Sequence, residues 1–207
     1  MKRIIDKINE MSGQYHPHDI FQDWVTMTAI MISNSINYDQ ELENNYLLIA
    51  KRYSSDKLIE ISKLSGLLVE LMNQDVKDYL GAIYMGLCAS SNKTGQFFTP
   101  FHICEILAET SLSNYDGEIL KINEPSCGAG ANILAAAKAL NKKGFNYQHK
   151  MNVIAQDLDN KCVYMCYVQL SIAGINAKVI QGNTLKDEVN QVLYTPMYVL
   201  KGGFYER

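Results

Sequence analysis

The stretch from residue 118 to residue 140 constrains the fold more than any other. Residues 118–123 read as an apolar strand, Glu124-Pro125-Ser126-Cys127-Gly128-Ala129-Gly130 as a glycine turn, and 131–140 as an alanine-rich helix. Glycines in such a turn let the backbone come close to a ligand over a helix amino terminus. The alternation then continues, with strands at 151–156 and 178–181, a helix at 161–172 between them, and a fourth short strand at 192–194. Strands separated by helices imply right-handed crossovers and a parallel sheet. In a sheet of that kind a ligand sits beyond the carboxyl ends of the strands, where the strand order reverses.

Before residue 92 the texture is different. Ile20, Phe21, Trp24, Val25, Met27, Thr28 and Met31 recur at three- and four-residue steps, which predicts a helix over 18–33. Further helices are expected over 41–53, after a cap at Ser54, Ser55 or Asp56 with Leu58, Ile61, Leu64, Leu68 and Leu71 as its stripe, and over 76–89. Together they form a small bundle. The polar run Ser90-Ser91-Asn92-Lys93-Thr94-Gly95 reads as the joint between the two halves.

With 47% hydrophobic and 20% charged residues, the 207-residue chain can bury a core unaided, which excludes disorder and fibrous repetition. The net charge of -3 advertises no nucleic acid by itself. The start, Met1-Lys2-Arg3-Ile4-Ile5-Asp6, lacks the apolar core of a signal peptide, and no run approaches the roughly 18 apolar residues of a membrane span. The expected location is therefore cytoplasmic, with no membrane partner. Cys88, Cys104, Cys127, Cys162 and Cys166 are odd in number and read as reduced core thiols. Cys162 with Cys166, or His16 with His18, are weak metal candidates, and no metal is expected. The lysines at 138, 142, 143 and 150 are read as a solvated face rather than a phosphate-binding row.

The residues at the strand ends describe a nucleoside pocket. Asp157, followed by Asp159, closes the second strand, where an acid accepts hydrogen bonds from both ribose hydroxyls. Asn183 closes the third and can read an adenine edge. A dinucleotide turn would place a third glycine where Ile133 stands, and no Gly-Lys-Ser or Gly-Lys-Thr of a P-loop is present. Glu124 would repel phosphate but suits an ammonium group. S-adenosylmethionine combines adenine, ribose and an amino acid without phosphate. The competing reading, a turn that merely joins two elements, is weakened by Asp157 and Asn183.

Gly95-Gln96-Phe97-Phe98-Thr99-Pro100, the 124–130 turn, Gln156-Asp157-Leu158-Asp159 and Gly182-Asn183-Thr184-Leu185 follow one another in that order. In this they resemble the cofactor motifs of adenine-specific N6 DNA methyltransferases, most nearly the modification subunits of type I restriction-modification systems. The resemblance spans about residues 75–185, including Tyr79-Leu80-Gly81 and Ile83-Tyr84-Met85 of the preceding helical segment. It implies an α/β fold: a helical bundle domain at 1–92, then a truncated Rossmann-like S-adenosylmethionine-dependent methyltransferase sheet at 93–207. It also implies roles. Phe98, Thr99 and Pro100 approach the methionine end of S-adenosyl-L-methionine, with Thr99 bonding its carboxylate. Glu124 faces the ammonium side, Gly128 and Gly130 give backbone access, Asp157 takes the ribose, and Asn183, where the family more often has Asp, meets the adenine. Pro125, Cys127 and Leu158 complete the cofactor-binding set.

The family holds the adenine amino group with Asn-Pro-Pro-Tyr or Asn-Pro-Pro-Phe after the fourth strand, having flipped the base from the duplex. Here the nearest string is Thr195-Pro196-Met197-Tyr198, so Thr195, Pro196 and Tyr198 are the catalytic candidates in degenerate form. Thr195 lacks the planar amide of Asn. The sheet has fewer strands than the family's full one, and almost no residues are left for target recognition. Two functions are compatible with this pattern. One is an adenine-specific DNA methyltransferase that acts on DNA with a specificity subunit or a second copy. The other is a catalytically inactive cofactor-binding relic, such as a mobile-element product, acting as a regulatory or interaction protein.

Overall fold

The computed structural model describes residues 1–89 and 97–203. Five helices come first: α1 (Lys2–Met11), α2 (Pro17–Ile36), α3 (Gln40–Ala50), α4 (Ser55–Gln74) and α5 (Tyr79–Ala89). After α6 (Phe101–Ser111) the order is β1 (Leu120–Glu124), α7 (Ala131–Lys142), α8 (Tyr147–Lys150), β2 (Met151–Asp157), α9 (Asn160–Ile172), β3 (Ala177–Gln181), β4 (Gln191–Tyr194) and α10 (Pro196–Leu200). The class is the expected one, α/β with a helical amino-terminal segment and a truncated Rossmann-like sheet. The polar joint at 90–95, Gln96, and the 92/93 domain boundary lie outside the described residues.

Local chemistry starts the helices where their sequences allow. Pro17 opens α2, and His16 caps it, its Nδ1 accepting from the His18 N–H at 3.2 Å. Asp39 caps α3 through the N–H groups of Glu41 and Leu42, and Ser54 caps α4. Trp24, Phe21 and Ile20 of α2 are buried with Leu64 and Leu68 of α4 and Ile83 of α5. The Trp24 indole donates to Ser65 Oγ at 2.9 Å. Because α2 also packs along α9, the bundle and the sheet share one hydrophobic core.

The sheet runs in the order β1-β2-β3-β4. β1 and β2 are parallel, with Ile122 opposite Val153, and β2 and β3 are parallel, with Ala155 opposite Val179. Two right-handed crossovers stepping in one direction place both helices on the same face. Met151, Val153 and Ala155 are accordingly buried, while Asn152 and Ile154 point the other way and Ile154 is 47% exposed. The three helix-linked strands are parallel as expected, and β4 adds an antiparallel partner to β3, Val179 facing Leu193. A parallel pair needs a crossover of roughly a dozen residues or more, and the link from Gln181 to Gln191 is shorter. That link turns tightly: Asp187 has φ 56°, and a Cβ on Gly182 would fall 1.9 Å from the Glu188 carbonyl oxygen. Among the described strands the order never reverses.

One side chain joins the two halves. Gln169, in the last turn of α9, is fully buried, and its Oε1 accepts from the N–H groups of Tyr79 (2.8 Å) and Leu80 (3.0 Å) at the start of α5. Its Nε2 donates to Asp78 Oδ1 (2.9 Å) and to the Ala129 carbonyl (2.8 Å) in the glycine turn. The four lysines at 138, 142, 143 and 150 are held by protein groups. Lys138 bridges Asp75 and Glu105, Lys142 pairs with Glu109, and Lys143 and Lys150 donate to the carbonyls of Ser113 and Gly117.

Gln169→Ala leaves several buried donors and acceptors without partners, at roughly 1–3 kcal/mol each. Urea unfolding should register a loss of about 3 kcal/mol or more, and a loss below about 1 kcal/mol would contradict the role given to this carboxamide.

Candidate functional site

A cavity of about 330 Å³ opens beside the carboxyl ends of β1 and β2. Its walls include Asp78 ahead of α5, Phe97, Phe98 and Thr99 ahead of α6, the turn from Ser126 to Ala129, and Asp157 at the end of β2, with Cys104, Ala131, Asn132 and Cys162 from α6, α7 and α9 behind them. The size falls in the range of small-molecule sites. Among the described residues no lysine, arginine or histidine lines it, and two carboxylates do.

The glycine turn is built by positive backbone angles. Gly128 has φ 52° and Gly130 φ 94°, conformations that side-chain-bearing residues resist. A Cβ on Gly128 would stand 3.2 Å from the Phe98 ring, and one on Gly130 3.1 Å from Cys166 Sγ. The turn is tied to β2 by the Cys127 N–H, which donates to the Gln156 carbonyl at 2.8 Å. Asp157 reinforces it: Oδ2 accepts from the Gly128 N–H at 2.9 Å and Oδ1 from the Asp159 N–H at 3.0 Å. A carboxylate has about four acceptor positions, so Asp157 can take further donors from a ligand. Asp159 caps α9 through the Lys161 N–H.

The sequence-derived candidates divide by position. Phe98, Thr99, Cys127, Gly128 and Asp157 line the cavity together. Pro100 caps α6 at its lip, and Gly130 shapes the turn and opens α7. Glu124 does not line it. Its oxygens accept from the Ser126 N–H and from Asn132 Nδ2, and it borders a neighbouring groove between α6, α7 and β1. Pro125 is exposed, and its carbonyl accepts from Thr184 Oγ1 at 2.7 Å. Leu158 is 63% exposed. Asn183 Oδ1 accepts from the Leu185 N–H, capping the short 3-10 turn Thr184–Lys186 outside the cavity lining.

Thr195, Pro196 and Tyr198, the catalytic candidates of the sequence, are not brought to the cavity. Because β4 runs antiparallel to β3, its end reaches the amino ends of the other strands. There Thr195 is fully buried; its Oγ1 donates to the Ile175 carbonyl at 2.7 Å and accepts from the Ala177 N–H at 3.0 Å. The same hydroxyl caps α10, which Pro196 opens. Tyr198 stacks on Tyr194 at 4.8 Å between ring centroids. All three do structural work at the far end of the sheet.

Sequence reasoning missed Asp78, Cys104, Asn132 and Cys162 as lining residues. The available signal for Asp78 was its place as a capping acid three residues before Gly81, whose N–H donates to Asp78 Oδ1 at 2.7 Å. Asp78 is 6% exposed, and burial raises its carboxyl above the ordinary range, against the opposing hydrogen bonds from Gln169 and Gly81. Cys127 is pushed well up by its contact with Cys166 and by burial, and Cys104 by burial and then by Asp78. Both shifts favour the thiol over the nucleophilic thiolate. Among the described residues no three His, Cys, Asp or Glu side chains are grouped to hold a metal, and no helix is long and apolar enough to cross a membrane.

Residues 75–200 match the family described as N-6 DNA methylase, and the chain belongs to that family. The matched segment begins just before α5, so the family unit includes Asp78 and the last helix of the bundle. No curated protein matches the chain in sequence. Among solved structures it is similar to the methyltransferase subunit of a type I restriction-modification system from Streptococcus thermophilus, at 14% identity and TM-score 0.46 over 90% of this chain and 57% of that one. It is also similar to a protein described as a class I S-adenosylmethionine-dependent methyltransferase from Listeria monocytogenes, at 14% identity and TM-score 0.47 over 84% and 55%. The chain thus spans little more than half the length of either.

Thr195→Asn, which restores the family's amide, should cost about 1–3 kcal/mol by disturbing a buried cap. Ligand binding at the cavity should be unchanged. Chemical denaturation and calorimetry on the same variant check both halves of that expectation.

Proposed function

We propose that the cavity binds S-adenosyl-L-methionine and that the chain serves in N6 methylation of adenine in DNA, as part of a restriction-modification methyltransferase. The supporting observation is convergence: Phe98 and Thr99, the glycine turn and Asp157, separated in sequence, meet in one cavity. The donor set suits the cofactor. Asp157 retains acceptor capacity for ribose hydroxyls. Gly128 keeps the turn free of a side chain that would press on Phe98. The absence of cations from the described lining disfavours a phosphate-bearing nucleotide. When bound, the cofactor supplies a methyl group on a positively charged sulfur. This chain's residues would hold and orient it.

The segment 195–198, which the resemblance offers for holding a flipped adenine, stands at the far end of the sheet from this cavity. The reading therefore assigns base handling and sequence recognition to a partner, either a specificity subunit or a second copy, in the cytoplasm. In this scheme 1–92 and 93–207 act as helical and cofactor-binding domains. A second reading, a cofactor-binding regulatory or interaction protein without transfer activity, is favoured by one observation: the position of Thr195 at the far end of the sheet.

Calorimetry with S-adenosylmethionine should give a single site, and Asp157→Ala should weaken it about tenfold or more, the scale of a lost hydrogen bond to a charged group. No heat with the unmodified protein would end the cofactor reading. Tritiated methyl transfer to unmethylated DNA then separates enzyme from regulator. Label on adenine, alone or with partner subunits added, supports the first, and binding without label under both conditions supports the second.

A further inference from the structure

The cavity holds one charged group that cofactor recognition as described leaves unused. Asp78 is 6% exposed, yet it lines the cavity. Its Oδ1 is committed, accepting from the Gly81 N–H and from Gln169 Nε2. Among the described residues no hydrogen bond to Oδ2 is found, and the side chain packs beside Gly81 where the residue lines the cavity. A buried carboxylate with no cation beside it is costly. The titratable groups around it are Cys104 from α6, Cys127 from the turn, Asp157 from β2 and Cys162 from α9. Among the described residues none supplies a positive charge, so a cationic group on the ligand would be the counter-ion.

Two details locate that charge. Gln169 Nε2 donates to both Asp78 and the Ala129 carbonyl, which fixes the carboxylate beside the glycine turn. Glu124, the residue the sequence offers for a ligand ammonium, lies outside the lining and borders the neighbouring groove instead.

We propose that Asp78, not Glu124, receives the ammonium of the ligand's amino-acid end, and that Gln169 positions it. This rests on the cofactor reading above. It makes the residue just ahead of α5 part of the binding site, so a helical segment outside the sheet supplies one of its charges. The ligand-free protein carries the cost of a buried acid, and binding relieves it.

Three ligands test the assignment by calorimetry: S-adenosylmethionine, S-adenosylhomocysteine, which keeps the ammonium but has a neutral sulfur, and methylthioadenosine, which has no amino acid. Asp78→Asn keeps the Oδ1 acceptor and removes the charge. It should weaken the first two ligands by about tenfold or more, as loss of a charge-assisted hydrogen bond does, and leave methylthioadenosine unchanged, which also shows that the variant is folded. Glu124→Gln should leave all three within about twofold, well under the 1.4 kcal/mol of a tenfold change. Equal weakening of all three, weakening of S-adenosylmethionine alone, or no weakening overturns the assignment. If the unmodified protein binds none of the three, the cofactor reading falls and the role of Asp78 falls with it.

Discussion

The carboxamide of Gln169 is the contact on which the rest of the architecture depends. A fully buried amide has to satisfy two donors and two acceptor positions, and this one does so by reaching two separate pieces of chain: residues 78–80 at the start of α5, and the glycine turn. Any relative movement of the helical bundle and the sheet would break several of these bonds at once. The geometry of the cavity is therefore tied to the docking of the bundle. The aligned core beneath, where α2 lies along α9, supplies the apolar burial that keeps the amide dry.

The sheet is one-sided, and that shapes its surroundings. With α7 and α9 on a single face, Ile154 is left 47% exposed and Ile119 44% exposed on the other side or edge. β1 is an edge strand, paired with β2 alone among the described strands. Alongside it, Ile106 and Leu107 of α6 are also more than half exposed. The cavity thus sits at the end of an edge strand rather than in a crevice between two half-sheets.

Features that depend on neighbours in sequence were legible. The glycine turn announces itself because φ above zero at Gly128 and Gly130 is a local need, and Asp157 because an acid at a strand end is a local position. Gly128 and Asp157 line the same cavity, and Gly130 shapes the turn beside it. Features set by distant contacts were not legible. Asp78 gains its importance from a partner 91 residues away. The direction of β4 follows from the short link before it and reverses the position of Thr195, which a parallel strand would have carried to the cavity end. α9 is buried from Cys162 to Leu170, so its periodicity gave no outward face, and a lone Gln in that apolar run was the one sign of a polar junction. Glu124 shows the same limit on a smaller scale, since its engagement by Asn132 depends on how α7 leaves the turn.

The central claim is that one cavity, assembled by Gln169 and the glycine turn, takes S-adenosylmethionine. Hydrogen exchange of the backbone amides with and without that ligand tests it most directly. The account predicts coordinated slowing at residues 79–81, 126–130 and 157–163, with little change in α1, α3 and α10. Unchanged exchange at saturating ligand, or slowing confined to the far end of the sheet around Thr195, would contradict it.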